Sequence, residues 1–312
     1  MMTKHWMGTQ RRNRSTGRPT TTMILYAPSS SPPELDQFTR NPSRGLVKKD
    51  ILDNSPAWVV DIVLQALQQA GIEPVEWGSL LYIRMHVPTI VKVCSSHTVE
   101  PAVILSHVFQ DYFYLVPDDA LDSASDILSH LGLPVWPPSK LLMQSEGDFS
   151  AKGIYHRISR STLPSSVSSI ALFPLSFSTL LPSELERKPP HHIRPSTRCP
   201  SILVPRPSAV YASLIRMMAK YPRYCSTRTV LASDLSELVG YNFLDLQLGY
   251  IDPEDEELWE KLDVDGRIHR AVAQVRQWSW DKEWREGEEW IGDVLASIID
   301  ATVDISHLPS SS

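Results

Sequence analysis

The sequence predicts an α/β (α+β) chain in which a small mixed sheet with helices is followed by a helical C-terminal region. Three observations carry this. Residues 46–181 alternate short apolar strand-like runs with helix-period segments bounded by Gly or Pro. Residues 182–207 are crowded with proline and read as a connector. Residues 208–312 then carry apolar side chains at three- and four-residue spacing. A chain of 312 residues with 42% apolar content is long enough to bury a substantial core.

Taken in order, residues 1–45 read as a disordered tail dominated by Gly, Pro, Ser, Thr and Arg. Lys4, Arg11, Arg12, Arg14 and Arg18 precede the first acid, Glu34, as in mitochondrial transit peptides. Pro19, Pro32 and Pro33 oppose an amphipathic helix there. Order begins where Asn54 or Ser55 can cap a helix with Pro56 in its first turn. Val59, Val60, Ile62, Val63, Leu64 and Leu67 give that helix an apolar face, and Gly71 stops it. Residues 72–77 form a short strand, the segment after Gly78 and Ser79 a second helix, and 111–116 an alternating strand ended by Pro117. Asp118 and Asp119 open another helix, where exposed N–H groups favour acids, and Leu121, Ala124, Ile127, Leu128 and Leu131 line one face of it. Further strands are expected at 153–159 and 169–177. A domain boundary or change of layer is placed in the connector at 182–207, followed by helices at 209–221, 232–246, 253–278 and 281–301.

Residues 93–110 do not fit this pattern, because they interpose 18 residues where connections of a few are usual. Lys92-Val93-Cys94 can encode a splice donor, Leu105-Ser106-His107 a branch site and Phe109-Gln110 an acceptor, so the segment reads either as a translated intron or as an inserted surface loop.

Charge is uneven. Residues 234–312 hold 19 acids against 6 bases, or −13, which leaves +7 of the net −6 to residues 1–233. The acidic half makes nucleic acid an unlikely partner and suits a basic protein segment. Its tryptophans, Trp259, Trp278, Trp280, Trp284 and Trp290, are expected to anchor the last helices, with one or two exposed indoles able to form a contact surface. No apolar run approaches the roughly 20 residues of a membrane span, so no membrane association is expected. Cys94, Cys199 and Cys225 form no CxxC pair, which makes a reducing cytoplasmic or nuclear compartment the default, while the prolines of the tail disfavour a mitochondrial one.

There is no P-loop, no GxGxxG, no GxSxG and no HExxH. His191-His192 lacks a third ligand at metal spacing. The acidic run 252–265 leads to Gly266, but Lys261 and Val272 stand where an EF-hand needs ligands. What remains is the Gly78-Ser79 turn closing one strand and Asp111 opening the next, a pattern able to hold a nucleotide triphosphate with Mg²⁺.

With residues 93–110 set aside, 13 residues separate that turn from Asp111. Over residues 57–175 the chain resembles the nucleotidyltransferase superfamily, in which a Gly-Ser turn and a helix precede a strand carrying Asp-x-Asp or Asp-x-Glu, and uncharacterised fungal proteins with such a front half. The resemblance implies that Gly78 and Ser79 cradle phosphate and that Asp111 is a metal-binding carboxylate. Phe113 replaces the second carboxylate. Glu146 and Asp148 lie upstream of the strand where a third would stand. Since two Mg²⁺ ions need bridging carboxylates, the expectation is a degenerate nucleotidyltransferase-like protein acting by binding. The alternatives are an active Mg-dependent nucleotidyltransferase and an interaction module that binds no nucleotide.

Overall fold

The computed structural model describes residues 50–88, 111–161, 167–191, 196–246 and 261–311. The chain divides into Met1–Lys49 and Asp50–Ser312, and every described residue lies in the second unit. The expectations for the N-terminal tail, for residues 93–110 and for the start of the helix at 253–278 therefore lie outside the described residues.

The architecture is mixed α/β. Helix α1 (Pro56–Gln69) starts as expected, with extended Ser55 ahead of Pro56, and buries Val59, Val60, Val63, Leu64 and Leu67. Gly71 follows at φ +77°, a conformation that costs glycine little. Strand β1 (Val75–Trp77) leads through Gly78 into the short α2 (Ser79–Arg84). Strand β2 (Asp111–Val116) occupies the residues expected of it. A turn at Asp118–Ala120 and α3 (Leu121–His130) come next, then α4 (Lys140–Glu146), α5 (Asp148–Ala151), β3 (Ile154–Arg157) and β4 (Ser169–Pro174).

The main departure from the sequence reading is at 182–207. In place of a connector these residues supply β5 (Leu185–Lys188) and β6 (Ile202–Pro205), which pair antiparallel. The six strands form one sheet in the order β3-β4-β2-β1-β6-β5. β6 runs parallel beside β1 with Val75 opposite Leu203, so the segment belongs to the front half's own sheet. Proline is tolerated because Pro205 stands at a strand end and the other prolines of 182–207 lie outside both strands. Near the other edge, Val135 forms an isolated bridge with His156 of β3.

The helices α6 (Pro207–Lys220), α7 (Ser226–Leu238, continued by a π turn at Val239–Phe243), α8 (Val264–Trp280) and α9 (Trp290–Ile299) make the C-terminal region helical. Eleven consecutive residues of α6, Ser208 to Met218, are buried, which makes it the central helix of this region. A buried ion cluster ties it to the sheet. Glu184, just ahead of β5, accepts from Arg216 of α6 at 2.9 Å and from Arg285 of the α8–α9 loop at 2.6 Å, and Arg216 also reaches Glu288 at 2.8 Å. Among the described residues no helix is long and apolar enough to cross a membrane.

Candidate functional site

The strands ending at Trp77 and Val116 are neighbours. β1 and β2 pair antiparallel with Trp77 opposite Phe113, and this register brings the Gly78 turn over the start of β2. Ser79 Oγ donates to the Asp111 carbonyl oxygen at 3.2 Å. Gly78 sits at φ +63°, ψ −138°, a combination in which residues with a Cβ are strained. Its surroundings also exclude a side chain, because a Cβ there would lie 2.7 Å from Cδ2 of Phe113.

That contact defines the site. Side chains two apart on a strand share a face, so Phe113 stands beside Asp111 where the resemblance requires a carboxylate, and its ring lies against the turn. The ring continues into an aromatic layer: Phe113 is 5.8 Å from Phe173 between centroids, Phe173 stacks on Phe177 at 5.3 Å, and Phe149 and Tyr155 meet this pair edge-on.

Asp111 is held by a residue the sequence reading did not single out. In the parallel β2–β4 register Ser169 is its partner, and the Ser169 hydroxyl donates to Asp111 Oδ1. Burial pushes the Asp111 carboxyl up, and the nearby Glu146 carboxylate adds to the rise against the lowering by Ser169. Glu146 ends α4 and accepts from Ser150 at 2.9 Å. Asp148 instead accepts from Tyr221 at 2.8 Å and pairs with Lys152 at 3.0 Å. Of the two upstream acids, only Glu146 acts on Asp111.

These residues do not fit a two-Mg²⁺ centre. Such a centre needs several oxygen ligands arranged around each ion. Here one carboxylate is engaged by Ser169, the adjacent position is a phenyl ring, and the described residues contain no group of three or more Asp, Glu, His or Cys able to hold a metal.

No family model, curated protein or solved structure matches this chain.

The remaining candidates resolve into structural roles. Asp118 Oδ1 accepts from the Ser176 N–H at 2.9 Å, fastening the turn before α3 to the end of β4. The His191 N–H donates to buried Glu76 at 3.1 Å, while Glu76 pairs with Arg84 at 2.7 Å; His192 lies outside the described residues. Trp278 and Trp284 are buried and meet edge-to-face at 6.0 Å, with Trp278 also against Tyr211 and Phe243. Trp280 and Trp290 are exposed. One polar pair had no sequence signal beyond its residue types. Ser125 Oγ lies 2.9 Å from His156 Nε2, and His156 Nδ1 lies 2.9 Å from the Leu133 carbonyl, which can only accept, so the ring proton is on Nδ1 and Ser125 donates to Nε2.

Proposed function

We propose that this chain is a degenerate nucleotidyltransferase-like protein that acts by binding rather than by nucleotide transfer. The observation that carries the reading is the Phe113 ring packed on the Gly78 turn beside Asp111, where in-line displacement would need a second carboxylate. The adjacency of turn and strand supports the nucleotidyltransferase-like part of the proposal, and the engagement of Asp111 by Ser169 supports the loss of transfer. A cytoplasmic or nuclear site of action is part of the same reading and accords with Cys199 and Cys225 being free thiols. A basic protein segment is the proposed partner of the acidic C-terminal region.

The test is a nucleotide-transfer assay with Mg²⁺ and radiolabelled nucleoside triphosphates against small-molecule, RNA and protein acceptors. The wild type is expected to transfer nothing above background. Turnover that disappears in Asp111→Ala would replace this reading with that of an active nucleotidyltransferase.

A further inference from the structure

The described tryptophans of the C-terminal region fall into two groups with different surroundings; Trp259 lies outside the described residues. Trp284 donates from Nε1 to Ser279 Oγ at 2.8 Å, and a Cβ on Gly292 would lie 2.7 Å from that nitrogen and 2.8 Å from that hydroxyl. Helices α8 and α9 are thus in close contact at Ser279 and Gly292, with Trp284 wedged beside them. Trp280 is the last residue of α8 and Trp290 the first of α9, so the two flank the loop that joins these helices. Trp280 is 80% exposed and Trp290 37%. An indole left in water forgoes one of the largest burial gains any side chain offers.

The corner is also rigid. Within the loop joining the helices, Glu283 accepts from Ser208 at 2.7 Å and pairs with Arg206 at 3.2 Å, Arg285 is held by Glu184, and Glu288 by Arg216. These pairs consume the loop's own guanidinium. The exposed carboxylates of this loop and of the helix start after it are Asp281, Glu286, Glu289 and Asp293, against the exposed cations Arg276 and Lys282. Exposed indole faces attract ammonium and guanidinium groups, and the flanking carboxylates attract the same groups while repelling phosphate.

We propose that the α8–α9 corner is a docking surface for a Lys/Arg-rich segment of a partner protein, with Trp280 as its anchor. The inference rests on the basic-partner part of the functional reading and adds the place and the mode of contact. The basic side chains stack on the Trp280 indole while Glu286, Glu289, Asp281 and Asp293 supply the charge. The fixed loop lets binding proceed with little ordering cost.

The probe is a short synthetic peptide of Arg, Lys, Gly and Ser, titrated into the full-length protein at physiological ionic strength, with a matching Asp/Glu peptide as control. One-to-one binding of the basic peptide is expected. Trp280→Ala, which leaves the charge unchanged, is expected to weaken it by about tenfold or more, as for an interface anchor. Glu286→Gln with Glu289→Gln should weaken it and flatten its salt dependence. The indole is so exposed that Trp280→Ala should keep the wild-type melting temperature, which a thermal scan verifies. Binding that is equal in wild type and Trp280→Ala would overturn this surface and leave the basic-partner reading standing. Absence of binding to the basic peptide would overturn both.

Discussion

Glu184→Gln tests whether the C-terminal helices and the sheet fold as one body. Glu184 is 3% exposed and Arg216 8%, so the substitution removes the central carboxylate of a buried cluster and leaves its guanidinium partners. Removing one partner of a buried pair costs about 3–5 kcal/mol. The lower end applies here, because Arg216 keeps Glu288, and Arg285 keeps the Thr179 carbonyl and is 27% exposed. A loss of about 3 kcal/mol corresponds to a fall in Tm of about 6–12 °C for a unit of this size. Urea denaturation followed by far-ultraviolet circular dichroism and tryptophan emission should show it as a shift of one shared transition. The pH dependence follows from the same cluster. Burial pushes the Glu184 carboxyl up, but hydrogen bonds from Arg285, the Leu181 N–H and Arg216 outweigh it and hold it below its ordinary value of 4.5. The advantage of wild type over Glu184→Gln is therefore present above about pH 4.5 and fades as pH falls through the lower folded-state value. A loss under about 1 kcal/mol, the range of exposed pairs, or separate transitions by the two probes, would show that the cluster does not join helices and sheet into one cooperative body.

Three further outcomes are expected. Gly78→Ala should cost about 1–3 kcal/mol from its backbone conformation, plus the clash with Phe113; a denaturation cycle with Phe113→Ala should recover only the clash, and full recovery would show that the backbone is unstrained. Burial holds the His156 imidazole below its ordinary value of 6.5 despite its hydrogen bond to Leu133, so the unfolded chain takes up protons first and stability should fall as pH drops below about 6.5. In His156→Gln that slope between about pH 7 and pH 5 should flatten, and an unchanged slope would assign it to other groups. Burial, reinforced by Asp61 and Glu73, pushes the Cys199 thiol up to about 11, so iodoacetamide should spare Cys199 in the native protein and label it after unfolding, as read by peptide mass mapping.

The elements legible in the sequence were those with one clear period and firm punctuation. Strand β2 alternates through its first four residues and ends before Pro117, and α1 carries an apolar face between Ser55 and Gly71 that only the buried Asp61 interrupts. Strands β5 and β6 were hidden because prolines dominate 182–207, although the aliphatic run Ile202, Leu203, Val204 is the strand signal within them. Helix α4 offers no amphipathic face to read, since Leu141 and Met143 point to solvent, and only its Ser139 cap marks it. The first turn of α7 is obscured because the residues it buries, Thr227 and Arg228, are polar; Arg228 reaches the Leu308 and Pro309 carbonyls near the C-terminus. At the site, the proximity of Ser79 to Asp111 followed from two adjacent strands. The Ser169 contact did not, because it depends on a parallel register between strands more than fifty residues apart.

In the proposed reading, Phe113 occupies the second carboxylate position and so denies the site the ligands for metal-dependent chemistry. Calorimetry of nucleoside triphosphate binding, with and without Mg²⁺, on wild type, Phe113→Asp and Asp111→Ala tests it most directly. Any wild-type binding should be indifferent to Mg²⁺, whereas Phe113→Asp, once shown to be folded by circular dichroism, should gain Mg²⁺-dependent affinity of about tenfold, on the scale of one added charge-assisted ligand. Wild-type binding that already requires Mg²⁺ and is lost in Asp111→Ala, or a folded Phe113→Asp that gains nothing, would show that Phe113 is not what denies the site its metal.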